Sequence, residues 1–463
     1  MIEEDQVEDW AVYEFGGANL GDKRRTDRLI QLAQAVGARP EASLPQAMEN
    51  RAALKAAYRF FDNPAIESQD ILESHILATY RRMAGVPIVL AVQDTSYLDW
   101  TPHPHTTGLG PLASERRKGL LVHSTLVFTP ERVPLGVLQQ QVWARDADTY
   151  AKLTDPKQRR IDEKESQKWL ISLDSVAAAR AANPNTQFVS VGDRESDVYD
   201  LFLVERVVGV DLLVRAAQDR RVESEEKYLW AALTTAPLAM KVQVNVPRQP
   251  DHPQRVAEVE VRWKQVTLRP PKKRKSENLP TVPIWAVWAV EIGAPQGVNK
   301  IEWMLLTTVR IQSTADALQC LDWYACRWGI EVWHKILKSG CQIEARQLED
   351  AERLKRLLTL FSVVAWRIFY ATMLARMLPD SPCTIFFEDG EWQALYCAAH
   401  NTAVPPQHPP TLQEAVRMVA RLGGFLGRTQ DGQPGVTVLW KGFQRLPDLT
   451  LMYRLLRPFG GAQ

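Results

Sequence analysis

The spacing of apolar residues changes along the chain and separates helical stretches from strand-like ones. In residues 1 to 85, apolar positions recur at helical intervals within segments rich in Ala, Leu and Arg. The pair Asn63-Pro64 interrupts them, as expected of a break between helices. We therefore predict a helical N-terminal region, with helices over Asp22–Val36, Met48–Phe61 and Ser68–Met83.

From about residue 86 the pattern becomes that of a sheet packed with helices. Short apolar runs are bounded by turn residues, and two longer stretches fit helices. The predicted order β-β-β-α-β-α-β describes a mixed sheet with helices packed on it, an α/β layer architecture. The strand candidates are Ile88–Val92, Leu120–Phe128, Val133–Trp143, Gln187–Val191 and Asp211–Val214, and the helix candidates are Ser166–Ala182 and Val198–Glu205.

The second half of the chain returns from β-type to helical patterns. Residues 220 to 311 hold alternating segments that suit a small antiparallel β unit, and helical spacing runs from Ala315 to Lys338. The most apolar stretch, Leu357–Leu378, contains Arg367 and Arg376, which favours a buried helix over a membrane span. The predicted regions are 1–85 (helical), 86–219 (first part of an α/β core), 220–311 (β insertion), 312–378 (second part of the core) and 379–463 (helical).

Composition narrows the classes of protein without giving a function. The chain has 463 residues, 45% hydrophobic and 24% charged, which is ordinary for a soluble globular protein. A net charge of +1 argues against a general nucleic-acid coat, so any DNA binding would depend on local patches. All five cysteines follow residue 319 without a Cys-x-x-Cys pair, and the acidic N-terminus lacks the layout of a signal peptide. We expect a reducing cytoplasm.

Two aspartates stand where open α/β sheets place their active sites. Asp94 follows the first apolar run and Asp193 follows the fourth, so both are expected just past the ends of neighbouring strands. A single aspartate at such a place is usually a helix or turn cap, whereas two in one sheet favour a functional pair. The nearby Glu195 and Asp197 suit either a supporting role at a metal site or a cap or salt bridge.

A third carboxylate lies on a predicted helix with an unusual polar stripe. Spacings of three and four residues place an aromatic hydroxyl, a guanidinium, a carboxylate and two ammonium groups on one helical face. An amphipathic helix normally makes such a stripe either apolar or plainly solvated. Glu331 and Lys335 alone would also suit an ordinary surface ion pair. The stripe is formed by Tyr324, Arg327, Glu331, Lys335 and Lys338.

The polar stripe resembles a motif of a known enzyme family. Its spacing, Tyr-x2-Arg-x3-Glu-x6-Lys, is similar to the Y-R-E-K motif of bacterial insertion-sequence transposases of the DDE type. Ala91–Ser96 resembles the first catalytic strand of that family, and Asp193–Asp197 resembles the second. The resemblance is to the subgroup that excises its element through hairpin DNA ends, and it covers nearly the whole chain. Further similar segments are Leu20–Thr26, Tyr58–Phe60, Asp162–Ser166 and Ala420–Phe425.

This resemblance implies a ribonuclease-H-like mixed sheet flanked by helices and interrupted by an antiparallel β insertion. It implies that Asp94, Asp193 and Glu331 are the catalytic residues and the ligands of two Mg²⁺ ions, for which Mn²⁺ would substitute. Cut-and-paste transposition would proceed by metal-dependent phosphoryl transfer through hairpin ends. The expected partners are transposon-end duplex DNA, target DNA and a second copy of the chain. No membrane partner is expected, and the location would be the bacterial cytoplasm, at the nucleoid when DNA is bound.

The resemblance also implies contacts with phosphates near the cleaved DNA end. Hydroxyl, guanidinium and ammonium groups are the donors that phosphate oxygens accept from. The four donors of the stripe would be joined by a guanidinium at the end of the fifth strand candidate. The implied phosphate contacts are Tyr324, Arg327, Lys335, Lys338 and Arg215.

Other DNA contacts are implied at the β insertion and at the N-terminus. Trp303 matches a family tryptophan that stacks a flipped base, and plain β-core packing is the alternative. Arg24, Arg25 and Arg28 would bind the transposon end, and a solvated helix face is their alternative. The C-terminal region would support dimerisation.

For a basic segment and three histidines, and for the function itself, alternatives to the resemblance stay open. The basic segment Arg269–Lys275 is either a solvated loop or a contact with phosphates. His103, His105 and His334 lack partners at metal-ligand spacing, which favours a loop and a helix surface. Two rival functions stay open, a ribonuclease-H-like nuclease without strand transfer and a non-catalytic, transposase-derived DNA-binding or inhibitor protein. The β insertion argues against the first, and three intact carboxylates argue against the second.

Overall fold

A mixed sheet runs through the part of the chain that the computed structural model describes, which is residues 9–114, 116–146, 165–246, 254–428 and 431–456. Its ten strands are β1 (Ile88–Asp99), β2 (Gly110–Pro111), β3 (Lys118–Phe128), β4 (Pro134–Trp143), β5 (Gln187–Gly192), β6 (Val210–Arg215), β7 (Leu238–Val246), β8 (Arg255–Leu268), β9 (Val282–Ile292) and β10 (Glu302–Thr307). They follow the predicted order, in which helices separate β4 from β5 and β5 from β6.

Helices precede the sheet, cover its faces and follow it. Short 3₁₀ turns cover 194–196, 272–277, 343–345 and 383–385, and a π-helical turn covers Ile336–Gly340. The α-helices are α1 (Trp10–Phe15), α2 (Lys23–Ala38), α3 (Leu44–Ala47), α4 (Arg51–Asp62), α5 (Ser68–Met83), α6 (Gln167–Ala182), α7 (Tyr199–Leu203), α8 (Leu229–Thr234), α9 (Thr314–Ala325), α10 (Trp328–Lys335), α11 (Ala351–Met377), α12 (Asp389–His400), α13 (Leu412–Leu422), α14 (Val436–Phe443) and α15 (Leu446–Leu456).

Five strands in the order β4-β3-β1-β5-β6 form the core of the sheet. Strand β3 runs antiparallel to β1 and β4, whereas β5 runs parallel to both β1 and β6. Parallel neighbours require a crossover connection, and α7 lies in the one between β5 and β6. This order and these directions are those of a ribonuclease-H-like core, so the predicted fold class is confirmed.

The antiparallel strands of the predicted β insertion continue the core sheet. Strand β10 pairs with β6, with Leu305 opposite Arg215, and β9, β8 and β7 follow outward in that order. The insertion is therefore an extension of the sheet that carries the predicted site. The division of the chain into five regions stays a prediction.

Side-chain alternation along β1 explains why the sheet carries a core on each face. Leu90 and Val92 pack with the N-terminal helices and with α9, α10 and α11, whereas Val89 and Ala91 pack with α6 and α7. Because both faces are covered, the strand is a continuous apolar run in the sequence.

The apolar stretch predicted as a buried helix lies within α11. Among the residues that the structure covers, this is the one helix long and apolar enough to cross a membrane, and 83% of its most apolar window is buried. The Arg367 guanidinium lies 4.8 Å from the ring centres of Trp10 and Phe386. The predicted core helix is thus confirmed.

A buried charged cluster joins the N-terminal helices to the sheet. Glu14 on α1 accepts hydrogen bonds from His75 Nδ1 and Arg82 Nη1 of α5, each at 2.6 Å. Arg82 also donates to the Leu135 carbonyl of β4 at 2.6 Å, and the Val137 N–H donates to His75 Nε2 at 3.0 Å. Since Nε2 accepts, the imidazole is neutral and carries its proton on Nδ1.

Burial shifts the titration of this cluster. It lowers the pKa of His75, an effect that Arg82 reinforces and Glu14 opposes. Burial alone would raise the pKa of Glu14, but His75 and Arg82 outweigh it and hold that pKa below its usual range. Both shifts make the folded chain take up protons less readily than the unfolded chain, so the cluster stabilises the fold least in acid.

Glu14→Gln would leave the Arg82 guanidinium without its carboxylate. Breaking a buried ion pair in this way costs about 3–5 kcal/mol. We expect the free energy of unfolding, measured in urea by tryptophan fluorescence, to fall by about 3 kcal/mol. The control Glu352→Gln breaks an exposed pair with Lys355 and should cost under about 1 kcal/mol. Equal losses in the two variants would contradict the role of the cluster.

His75→Gln tests the sign of the pH dependence. Because the folded-state pKa of His75 is lowered, the unfolded chain takes up this proton first as the pH falls below about 6.5, and stability drops. Glutamine keeps a donor for Glu14 and an acceptor for the Val137 N–H but does not titrate. We expect its melting temperature to fall less than that of the wild type between about pH 7 and about pH 5. A variant that is equally acid-sensitive would exclude His75 as a source.

Candidate active site

Side-chain alternation puts the two predicted aspartates on the same face of the sheet. Asp94 lies two residues beyond Val92, where the pairing of β1 with β5 ends, and Asp193 lies two residues beyond Val191. Val92 and Val191 both pack on the face covered by α10, and the period of two extends that face to the aspartates. The prediction that Asp94 follows the end of its strand is wrong, because β1 stays paired with β3 up to Asp99.

Burial and like charge raise the pKa values of both aspartates. The Asp94 side chain is 19% exposed, and burial, with Asp193 and Glu331 beside it, raises its pKa to about 7 against the lowering effect of Arg327. Burial also raises the pKa of Asp193, and Glu195 adds to the shift, although the Glu195 N–H donates to this carboxylate at 2.9 Å. Burying two carboxylates side by side costs free energy, which a bound cation would offset. The pair is therefore typical of a cation-binding site.

Glu331 lies on α10, the helix above these two strands. Its carboxylate accepts a hydrogen bond from Arg327 Nη2 at 2.5 Å, and the Arg327 side chain is only 13% exposed. Within the described ranges, no group of three or more His, Cys, Asp or Glu side chains could hold a metal ion. Asp94 and Asp193 present hard oxygen donors of the kind that cations bind on one face of the sheet, whereas Glu331 is hydrogen-bonded to Arg327. The assignment of all three as ligands stays a prediction.

The polar stripe predicted on one helix is divided among three segments. Helix α9 ends at Ala325 and α10 begins at Trp328, so Arg327 lies at the junction, where its N–H donates to the Tyr324 carbonyl at 3.0 Å. The helix then widens into the π-helical turn, which carries Lys338. π-helical turns occur frequently at functional sites.

The two lysines of the stripe differ in their surroundings. Lys335, at the end of α10, is exposed to solvent. Lys338 Nζ donates to the Tyr97 carbonyl of β1 at 2.7 Å, which ties the π-helical turn to the strand that holds Asp94.

Strands β6 and β10 add an aromatic and cationic group on the same face. The Arg215 guanidinium donates to the Glu302 carbonyl at 2.8 Å. The Trp303 ring packs edge-on against Tyr324, with ring centres 5.1 Å apart, and is only half-buried. Burial raises the pKa of Tyr324, and Arg327 and Arg215 oppose the shift. Part of the Trp303 ring therefore stays available to a ligand.

Two buried histidines beside Asp94 were missed by sequence reasoning. His334, predicted on a helix surface, is buried, with Nδ1 3.6 Å from Asp94 Oδ2, and burial lowers its pKa to about 3. His123 of β3 lies 3.0 Å from the Thr95 hydroxyl, and burial lowers its pKa well below the usual value. The available signal for His334 was its position three residues after Glu331, which puts both on one face of α10.

The acidic residues after Asp193 form salt bridges, one of the two predicted alternatives. Asp197 is buried and accepts from Arg220 Nε at 2.6 Å, and Glu195 accepts from Lys168 Nζ at 3.2 Å. Of the family-like segment 162–166, residues 162–164 lie outside the described part of the chain.

Two glycines let the segment that carries Glu331 approach its neighbours. A Cβ atom at Gly329 would lie 2.8 Å from the Phe128 ring of β3. One at Gly340, at the end of the π-helical turn, would lie 3.1 Å from the Trp440 ring of α14. Helix α10 therefore rests directly on the sheet, and the turn after it rests on a C-terminal helix.

The arginines predicted to bind DNA lie in the first turns of α2. Asp22 caps this helix and pairs with Arg24 at 2.7 Å, and the Arg24 side chain is 90% exposed. Arg25 donates to the Leu20 carbonyl at 2.9 Å, while Arg28 is half-buried. None of these contacts decides between DNA binding and a solvated face.

A large cleft separates α4 from loops of the core. Its volume is about 1320 Å³, and residues 102–106 and 347–349 form its far wall. We call it the α4 cleft. Its cationic lining consists of Arg51, Lys55, Arg59 and Arg353.

Segments near the two ends of the chain match transposase family models. Residues 7–66 match the family model "Transposase DNA-binding", and residues 363–459 match "Transposase Tn5 dimerisation domain". These matches indicate a transposase with DNA and a second copy of the chain as partners. A cryo-EM structure of the piggyBac transposase synaptic complex with hairpin DNA is similar over 77% of this chain and 67% of that one, at 8% identity and a TM-score of 0.34. A likeness this low adds no argument.

Gly329→Ala tests the close packing of α10 on the sheet. Helix propensity favours alanine by about 1 kcal/mol, but overpacking costs about 1–3 kcal/mol, and the Phe128 ring is fully buried. Because the two effects oppose each other, we expect the free energy of unfolding to fall by up to about 2 kcal/mol in urea titrations. A Cβ atom at Gly435 would meet nothing within 4 Å, so Gly435→Ala serves as the control. A stabilised Gly329→Ala protein would refute the packing argument.

Proposed function

We propose that the protein is a cut-and-paste DNA transposase with Asp94, Asp193 and Glu331 as its catalytic carboxylates. The observation that carries the proposal is the placement of Asp94 on β1 and of Asp193 directly after the parallel neighbour β5, on one face, under the helix that holds Glu331. The transposase matches at the two ends of the chain support the proposal, because a transposase needs carboxylates of this kind for phosphoryl transfer.

The three carboxylates would hold two Mg²⁺ ions, because Mg²⁺ prefers hard oxygen ligands. The chemistry that such ions supply when bound is activation of the attacking oxygen and stabilisation of the leaving one. The raised pKa of Asp94 supports this assignment, since burial raises it most, the Asp193 and Glu331 carboxylates add to it, and a bound cation would offset both effects. Arg327 offsets part of that charge and lies where a phosphate oxygen could replace the Glu331 contact.

The proposed reaction is a series of phosphoryl transfers in which each new P–O bond replaces an old one. A water molecule attacks at the transposon end and frees a 3′ hydroxyl. That hydroxyl attacks the opposite strand, which gives a hairpin and releases the flanking DNA. A second water reopens the hairpin, and the 3′ hydroxyl then attacks target DNA.

Side chains around the carboxylates would position the DNA end. Tyr324, Arg327 and Arg215 would donate to its phosphates from the buried side, and Lys335 and Lys338 from the exposed side. The donors lie on α9 (Tyr324), at its junction with α10 (Arg327), at the end of α10 (Lys335), in the π-helical turn (Lys338) and on β6 (Arg215).

Base stacking and duplex binding would complete the site. The half-buried ring of Trp303 offers a surface for a flipped base. Arg24, Arg25 and Arg28 of α2, with the α4 cleft, would hold the transposon end, since both lie in or beside the segment that matches the DNA-binding model. Two copies, paired through the C-terminal region, would bring two ends together.

Asp193→Asn and Glu331→Gln test the proposal on a labelled duplex that carries the end of the element, with Mg²⁺ and a denaturing gel. Loss of one catalytic carboxylate should reduce nicks and hairpins by at least about 10³-fold, while binding to the duplex persists. The control Asp322→Asn alters an exposed carboxylate, 60% accessible, on the preceding helix and should cleave like the wild type.

Three outcomes would count against the proposal. Metal-dependent hairpins from Asp193→Asn would exclude the carboxylate assignment. Binding without cleavage by the wild type would favour a non-catalytic DNA-binding protein. Cleavage without any joining to a target plasmid would favour a nuclease.

A further inference from the structure

A second cationic groove begins at the segment that follows Asp193. It has a volume of about 720 Å³ and is formed mainly by residues 197–200, 218–221 and 269–274. Six cationic and three acidic side chains line it, which is an excess of three positive charges. We call it the basic groove. Its cations are Arg220, Arg221, Arg269, Lys272, Lys273 and Arg274.

Ion pairs hold the walls of the basic groove together. Arg220 Nε donates to Asp197 Oδ1 at 2.6 Å, and the Ala217 N–H donates to Asp197 Oδ2 at 2.8 Å. Arg274 Nη1 donates to Asp200 Oδ2 at 2.7 Å. The basic segment 269–275 is therefore fixed to the chain that leaves β5 just after Asp193, and it does not extend freely into solvent.

Four cations of the groove have no structural partner. Within the described ranges, the side chains of Arg221, Arg269, Lys272 and Lys273 make no hydrogen bond or ion pair with the protein, and the last three are exposed. Unpaired cations that are held close together repel one another, and a bound anionic polymer would offset that repulsion. Closely spaced Arg and Lys side chains of this kind neutralise the phosphates of duplex DNA.

The position of the groove separates it from the α4 cleft. Strands β1, β5 and β6 are adjacent and parallel, so the segments that follow them leave the sheet at one edge. The α4 cleft includes residues 102–106, after β1, whereas the groove includes 197–200 and 218–221, after β5 and β6. Asp94 lies on β1, and Asp193 lies directly after β5, four residues before Asp197 of the groove.

We propose that the basic groove binds the phosphate backbone of target DNA during strand transfer. This inference rests on the proposed transposase function, because joining requires two duplexes at one catalytic centre. The α4 cleft belongs to the region that matches the DNA-binding model and would hold the transposon end. The basic groove, which the chain enters just after Asp193, then receives the second duplex.

The test compares full-length wild type with Lys272→Gln/Lys273→Gln. Both lysines are exposed, so folding should be unaffected, and melting curves check this. We expect cleavage of the labelled transposon end to stay within about twofold of the wild type. Joining of a precleaved end to a plasmid should fall about tenfold at about 0.15 M salt, because phosphate contacts dominate sequence-independent affinity.

A matched control removes two cations elsewhere. Lys241 is exposed on the edge strand β7, and Arg310 is exposed beyond the far end of β10. Lys241→Gln/Arg310→Gln should join the precleaved end as the wild type does. Equal joining by the groove variant and the wild type would overturn the proposal. A parallel loss of end cleavage and joining would also overturn it, since the groove would then hold the transposon end.

A binding measurement separates this inference from the proposed function. Affinity for an unrelated duplex, measured without Mg²⁺ over a range of salt, does not depend on catalysis. The groove variant should reduce the slope of log affinity against log salt by about two, since each phosphate contact contributes about 0.9. If the groove variant reduces the slope but the wild type cannot cleave transposon ends, the transposase proposal is wrong and the DNA-binding role of the groove stands. If the slope is unchanged, only the proposal for the groove is wrong.

Discussion

Burial of the Asp94 carboxylate on β1 is the main cost that the site carries, and Asp193, directly after β5, adds a like charge beside it. Desolvation disfavours the charged form and the neighbouring carboxylate reinforces that effect, which is why the pKa of Asp94 rises to about 7. The site tolerates this because Arg327 is held nearby at the junction of two helices. The two cores on opposite faces of the sheet hold these elements in place. The Glu14 cluster adds a link between the N-terminal helices and the sheet.

The short apolar runs were enough to predict the sheet, and the ends of those runs were enough to predict the shared location of its two aspartates. They could not predict that Asp94 lies inside its strand, because the end of an apolar run was taken as the end of the strand. The parallel pairing stops at Val92, but antiparallel pairing with β3 continues through polar residues up to Asp99. Which neighbour a strand keeps is a tertiary property that the local pattern does not contain.

The helical stripe was predicted from spacing and was only partly right. No proline marks the junction near Arg327, and no residue type in 336–340 distinguishes a π-helical turn from an α-helix. The sequence therefore predicts one continuous helix. The burial of His334 was missed for a related reason. A histidine next to a polar stripe suggests solvent, and only the packing of α10 against β1 turns His334 inward.

The contact between Gly340 and Trp440 joins the turn after Glu331 to a helix nearly a hundred residues later. A side chain at position 340 would require the Trp440 ring to shift by a few tenths of an ångström. Across related sequences we therefore expect the two positions to covary, with small residues at the first where a bulky aromatic occupies the second. This contact would then restrict which C-terminal helices can be exchanged between homologues by recombination.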